Sequence, residues 1–328
     1  MPLASRLQTF AAPAEAITVT EVDPRPPGPG EVRLEMLAAP INPADLNVIE
    51  GKYGELPELP ATIGNEGVGR IAEVGPNVNG LHAGQVVLPL SFGTWAESIT
   101  VPAANVVALP DDIDTPQAAM LTVNPATAWR ILHEFVDLEP GDWVVQNAAN
   151  SGVGRSTIQL AKALGLHTLN VVRRPELVDE LQSAGADAVV LEETDLRKEA
   201  RALCGGKKPR LALNSVGGAS ALNVANALAP GGCLVTFGAM SKQPLKIPNG
   251  LLIFSNLQFR GFWLKRWRDA APREEIMTTY EKLAGFVAQG ALHTPVHATF
   301  RLGQLQDALA EAAAERRGGK VLLDLSAG

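Results

Sequence analysis

Cysteine is nearly absent: Cys204 and Cys233 are the only two in 328 residues. Neither lies in a CxxC pair or a Cys/His cluster, so the chain offers no disulfide framework and no structural zinc site. No apolar run approaches the roughly 18 residues of a membrane span. The opening MPLASRLQTF has one arginine and no apolar stretch behind it, so no signal peptide is expected and a cytoplasmic protein is. A basic excess is also missing, since 28 Lys and Arg face 35 Asp and Glu for a net charge of −7. That excludes wholesale nucleic-acid binding and confines any anion site to a local cluster. Tyrosine is the last scarcity, with only two, and one of them, Tyr53, sits in a glycine-bounded loop, NVIEGKYGELP. A phenol on a loop held by a rigid scaffold is available for chemistry, whereas a buried one packs its ring and needs a partner for its hydroxyl.

What is present is ordinary globular composition, 46% hydrophobic and 19% charged. The length exceeds that of a single core and predicts two domains of roughly 100–200 residues each. Up to about Leu121 the text is short alternating runs broken by Pro and Gly (ITVTEV, EVRLEML, GVGRIAEVG, QVVLPL, WAESITV), the pattern of an antiparallel, barrel-like domain. After Pro116 apolar strands alternate with helical stretches. The strands are read at Asp142 to Ala148, His167 to Val172, Ala186 to Leu191, Arg210 to Val216, Cys233 to Phe237 and Leu257 to Trp263. Between most of them lie GRSTIQLAKALG, PELVDELQSAG, DLRKEARALC and ASALNVANALA at helical period. Six strands joined by right-handed crossovers make an α/β, doubly wound parallel sheet. Beyond about Lys265 two helices, EEIMTTYEKLAGFVAQG and LGQLQDALAEAAAERR, precede a last strand, KVLLDL, read as returning to the first domain.

The first strand of the sheet runs into NAANSGVGRSTIQLAKALG, where Asn150, Ser151, Gly152, Val153 and Gly154 form the turn into a helix. A helix N-terminus offers unpaired backbone N–H groups and partial positive charge to a pyrophosphate, provided the backbone can approach it. The glycine fingerprint is degraded, with Ala149 and Ser151 at its first two glycine positions; the six-strand context selects a dinucleotide site over a plain turn. At the end of the second strand, where an acidic residue would hold the ribose of NAD, stand Arg173 and Arg174. Two guanidinium groups cannot accept from a hydroxyl but can clamp a 2′-phosphate, which selects NADPH over a solvated arginine pair.

The order of barrel-like half, central sheet and C-terminal return ending GGKVLLDL resembles the medium-chain dehydrogenase/reductase superfamily. Longer strings (INPADLNVIEGKYG, IGNEGVG, TVNPATAWR, QNAANSGVG, NVVRRPE, ALNSVGG, LLIFSNLQFRGFWL) resemble its mitochondrial-type trans-2-enoyl-CoA or acyl-carrier-protein reductases. The resemblance implies a Rossmann domain over 123–264 and a discontinuous GroES-like β-barrel catalytic domain over 1–122 and 265–328. Zinc alcohol dehydrogenases of the superfamily carry a cysteine in the INPADL region and a Gly-His-Glu motif. Here Asn42 and its neighbours fill the first, and Asn65 replaces the histidine in GNEG, so metal-free chemistry is expected.

By that resemblance Tyr53 is the proton donor and Trp263 an active-site tryptophan. Cofactor contacts carry over to Asn124, Asn150, Ser151, Gly152, Val153, Gly154, Arg173, Arg174, Phe237, Gly238, Ala239, Met240, Phe262, Trp263, Leu264, Lys265 and Lys320. The reaction implied is hydride delivery from NADPH to the β-carbon of a 2-enoyl thioester on CoA or acyl carrier protein. An ordinary phenol, with a pKa of about 10, then protonates the α-carbon. Asn42 and Asn65 either orient substrate or nicotinamide ribose or satisfy loop backbone, and Thr127 and Trp129 stand equally open. Lys265, Arg266, Arg268 and Arg273, interleaved with Trp263 and Trp267, read either as solvated charge or as a seat for CoA phosphates or an acidic carrier. The last sheet strand, around Leu257 to Phe262, is expected at an edge that pairs with its twin in a homodimer. The rival readings are a zinc-free NADPH:quinone oxidoreductase and a non-catalytic NADPH-binding protein.

Overall fold

The computed structural model describes residues 1–314 and 317–326. The chain divides into two compact units, Met1–Val123 with Arg273–Gly328, and Asn124–Pro272.

The first unit is built on a seven-stranded sheet around the ten-residue strand Glu31–Pro40. Its alternation turns Val32, Leu34 and Met36 inward, where they meet Ile71, Trp95 and the C-terminal residues Val321 and Leu323 in one core. Glu31–Pro40 pairs antiparallel with Val68–Val74, with Ser98–Pro102 and, through Ala38–Pro40, with Lys320–Asp324. The C-terminal strand thus lies beside Glu31–Pro40, and Ile41 N–H donates to the Val321 carbonyl at 3.0 Å. Three strands were not legible: Leu3–Leu7, Val106–Ala108 and Val296–Arg301, the last parallel to Lys320–Asp324. The final helix is Leu305–Ala313; its expected extension over Glu315 and Arg316 lies outside the described residues.

The second unit carries a six-stranded parallel sheet in the order Ala188–Leu191, His167–Val172, Trp143–Gln146, Leu211–Asn214, Cys233–Thr236, Gln258–Gly261. Counted along the chain this is 3-2-1-4-5-6, the doubly wound order. Direction reverses between the first and fourth strands, and ligands bind outside the carboxyl ends at such a point. Inner strands such as Leu211–Asn214 are buried throughout, as sheets covered on both faces require. The observed strands are shorter than read. The first stops at Gln146 because the Asn147 amide donates to Asn214 Oδ1 at 2.8 Å and the chain turns at Ala148, φ 46°. The sixth ends at Gly261 because Trp263 already caps a helix, Leu264–Ala270, that was not anticipated. No helix among the described residues is long and apolar enough to cross a membrane.

Candidate active site

In the first unit, polar groups gather where the return strand passes the end of Glu31–Pro40. Asn42 is the N-cap of the helix Pro43–Ile49, with proline in the first turn and Asp45 closing a capping box. Asp45 Oδ2 accepts from Asn42 N–H at 2.7 Å, and Oδ1 accepts from Asn65 N–H at 3.1 Å and Asn65 Nδ2 at 2.7 Å. Glu66 Oε1 accepts from Asn42 Nδ2 at 2.7 Å and Oε2 from Val123 N–H at 2.7 Å. The Lys320 ammonium donates to Asn42 Oδ1. Asp45 and Glu66 are 0% exposed and Lys320 9%.

Burial is the largest influence on all three. It pushes the Glu66 carboxyl up to about 7 against the pull of the Lys320 charge and the Asn42 and Val123 bonds. It raises Asp45 to about 6 against the bonds from Asn42 and Asn65. It lowers Lys320, which the two carboxylates oppose.

Tyr53 follows the same helix. Gly51 N–H bonds to Val48 O and Lys52 N–H to Asn47 O, closing the helix with a C-terminal cap two residues before the tyrosine. Gly51 has φ +69°, and a Cβ there would meet Phe10 Cβ at 2.9 Å, so the bend into the loop needs glycine. The Tyr53 ring is half-buried against the core edge. The other tyrosine, Tyr280, is 0% exposed and donates its hydroxyl to the Thr122 carbonyl at 3.1 Å.

In the second unit, Ser151 caps the helix Gly152–Ala163 by accepting from Gly154 N–H at 3.1 Å. A Cβ on Gly152 would stand 2.9 Å from Asn124 Cγ, and one on Gly154 2.4 Å from the Ala149 carbonyl oxygen. The surviving glycines are thus the ones that close packing of Asn124 and of helix on strand demands. Ala148 takes the left-handed conformation, a cost that non-glycine residues bear mainly at functional turns. Open N-terminal N–H groups behind a tight turn fit a pyrophosphate. Arg173 is exposed and Arg174 half-buried just past His167–Val172, Arg174 lying 3.7 Å from Glu176. Phe237–Met240 follows Cys233–Thr236, with Phe237 N–H on Asn214 O and Met240 N–H on Ser215 O. Phe262 N–H bonds Thr236 O, and its ring meets Phe135 edge-on at 6.2 Å. The fold therefore brings Asn124, 150–154, Arg173, Arg174, 237–240 and 262–265 to the carboxyl end of one sheet. Trp263 is 38% exposed, while Thr127 and Trp129 are buried on the helix Asn124–Glu134. Lys320 belongs to the first unit.

Of the basic run, Lys265, Arg266 and Arg268 share the helix Leu264–Ala270, where Lys265 pairs with Asp269 at 2.7 Å, while Arg273, in the first unit, donates to the Ala104 and Val106 carbonyls; Arg266 and Arg273 are exposed.

Sequence reading missed Asp45, Glu66 and Ser215. An acid inside the apolar text IGNEGVGRIAEV is the signal for Glu66. Ser215 is buried at the end of Leu211–Asn214 with no partner for its hydroxyl among the described residues.

A doubly wound nucleotide unit joined to a discontinuous, mainly antiparallel unit defines a medium-chain dehydrogenase/reductase. The two halves match the families described as Alcohol dehydrogenase GroES-like domain, residues 28–111, and Zinc-binding dehydrogenase, residues 152–279. The human mitochondrial enoyl-[acyl-carrier-protein] reductase is 44% identical over 304 residues, covering 90% of this chain and 82% of the human protein. The chain belongs to that enoyl reductase family, a zinc-independent branch of the superfamily.

Among solved structures, the Candida tropicalis mitochondrial 2-enoyl thioester reductase Etr1p/Etr2p heterodimer has TM-score 0.88 at 30% identity, covering 98% of this chain and 99% of that one. The Etr1p complex with NADP and crotonyl-CoA has TM-score 0.87 at 31% identity and the same coverage. A Pseudomonas syringae quinone oxidoreductase has TM-score 0.87 at 27%, covering 99% of this chain and 100% of that one.

Zinc does not fit the residues present. Two asparagines replace soft ligands, both Glu66 oxygens already accept hydrogen bonds, and an ammonium occupies the Asn42 oxygen. Among the described residues no group of three or more His, Cys, Asp or Glu side chains could hold a metal ion.

Proposed function

We propose that this protein reduces the double bond of trans-2-enoyl thioesters, carried on coenzyme A or acyl carrier protein, with NADPH as reductant. The observation that carries the reading is the 44% identity to an enoyl-[acyl-carrier-protein] reductase over 90% of the chain. The quinone reading rests on a fold likeness at 27% identity.

When bound, NADPH supplies the hydride that adds to the substrate β-carbon. Asn150 to Gly154 receive the pyrophosphate, Arg173 and Arg174 the 2′-phosphate. Asn124, Phe237 to Met240, Phe262 to Lys265 and Lys320 complete the cofactor contacts. Trp263 lines the reacting end. Hydride addition leaves an enolate at the thioester, held by hydrogen-bond donors rather than a metal. Tyr53 gives its hydroxyl proton to the α-carbon and regains one from solvent. The roles of the two units follow: Asn124–Pro272 for the cofactor, Met1–Val123 with Arg273–Gly328 for catalysis, so the expected boundary near Lys265 falls at Arg273.

We also propose a homodimer. Gln258–Gly261 is an open sheet edge, and Leu252, Ile253 and Phe254 just before it are exposed, Phe254 by 86%. We propose a cytoplasmic location, although the relatives are named as mitochondrial, and fractionation of the source cells decides it. The function is tested by following NADPH oxidation with crotonyl-CoA, a long-chain enoyl-CoA and a quinone, with NADH in parallel. Thioester reduction preferring NADPH is expected. Turnover of the quinone alone would overturn the reading.

A further inference from the structure

Asp45 and Glu66 are wholly buried carboxyl groups, and stability alone is a weak reason for them. Well-packed apolar residues of similar volume serve a core as well or better, because two ions taken from water lose several kcal/mol each before attraction repays it. Their arrangement answers a different need. Between them the four carboxylate oxygens accept from Asn42 N–H and Nδ2, Asn65 N–H and Nδ2, and Val123 N–H, while Lys320 takes the remaining Asn42 oxygen. Asn42 is thus held at its backbone nitrogen and at both ends of its carboxamide.

Asn42 caps the seven-residue helix Pro43–Ile49. Helical bonds such as Glu50 N–H to Leu46 O give way to a capping turn, Gly51 N–H to Val48 O and Lys52 N–H to Asn47 O, that hands the chain to Tyr53. The far end is clamped by Ala11 N–H on the Ile49 carbonyl and by Phe10 against Gly51. Tyr53 is the next residue. One end of this short rigid element is fixed by buried charge, and the other presents a phenol.

We propose that Asp45, with Glu66 and Lys320, is a positioning group for Tyr53: the buried network anchors the helix whose C-terminal end sets where the phenolic proton is delivered. This rests on the reading of Tyr53 as the proton donor. Displacing a catalytic group by about 1 Å can cost roughly a hundredfold in rate, so a looser anchor shows in turnover before it shows in binding.

The test is a double-mutant cycle on the full-length protein. Asp45→Asn keeps the shape and removes one acceptor. It is expected to lower kcat about tenfold or more with KM for NADPH changed less than about twofold, and to have no further effect when combined with Tyr53→Phe. Equal slowing in the wild-type and Tyr53→Phe backgrounds, with Tyr53→Phe itself slow, overturns the positioning role and leaves the donor role standing. Full turnover by Tyr53→Phe removes both. If Asp45→Asn fails to fold, Asn65→Ser, at a half-exposed residue, deletes one of the three bonds on Asp45. It is expected to slow the enzyme about threefold only while Tyr53 is present, and equal slowing in both backgrounds counts against the proposal in the same way.

Discussion

Lys320 places its ammonium on the carboxamide oxygen of Asn42, 278 residues away in sequence, inside a wholly buried pair of carboxylates. The C-terminal strand therefore does more than close the first unit's sheet, because it brings the counter-charge that Asp45 and Glu66 require. Removing one partner of such a set leaves uncompensated charge and costs about 3–5 kcal/mol. Lys320→Met should consequently lower the urea midpoint strongly, and the second substitution Glu66→Gln should recover part of the loss. A midpoint within experimental error of wild type for Lys320→Met would contradict the pairing.

The same network makes stability depend on pH. The folded state holds Glu66 up near about 7 and Asp45 near about 6, above the usual carboxylate range, because burial disfavours their charged forms. The groups facing them are each other and Lys320, itself influenced by Arg317. A raised carboxyl contributes stability below its unfolded pKa and loses it as the pH climbs through the folded value. Unfolding free energy should fall between about pH 4 and pH 7, by a few kcal/mol, and Glu66→Gln should flatten the slope. Urea melts across that range decide it; an unchanged slope in the variant would remove Glu66 as the cause.

The two tyrosines should separate function from packing. Tyr280→Phe deletes a buried hydroxyl that bonds the Thr122 carbonyl and should cost about 1 kcal/mol of stability. Its kcat should remain close to wild type in the NADPH oxidation assay.

On the proposed reading Arg173 and Arg174 clamp the 2′-phosphate and so set cofactor choice. Replacing both with alanine removes charge-assisted donors worth roughly 1.5–3 kcal/mol each. KM for NADPH should rise by about two to four orders of magnitude while KM for NADH stays nearly constant, as steady-state kinetics with the two cofactors will register.

The open edge predicts assembly. Gln258 and Phe262 direct their N–H groups to Gly232 and Thr236 on the neighbouring strand, so by alternation the Gly261 N–H faces outward. Gly261→Pro removes that donor without touching the inner ladder. Sedimentation should give two chains for the wild type and one for the variant; a single-chain wild type would refute the pairing.

The sheet of the second unit was legible because buried parallel strands read as apolar runs between Gly, Pro and helical text. Strand ends were less so: the amides of Asn147 and Asn214 turn the chain through side-chain bonds that no periodicity records. The helix Leu264–Ala270 escaped because KRWRDA is too short and too charged to show a period. Tyr53 stood out by scarcity and its flanking glycines, and the cofactor turn by its context. Asp45 and Glu66 did not, since burying acids contradicts patterning and their cation comes from the other end of the chain.

On the proposed mechanism the Tyr53 phenol, on a metal-free site, protonates the α-carbon. Single-turnover reduction of crotonyl-CoA by Tyr53→Phe tests it most directly, because the ring remains and only the donor is lost. A fall of about 10²- to 10⁴-fold in rate, with KM for NADPH preserved, is the predicted result; a fall of less than a few-fold would contradict it.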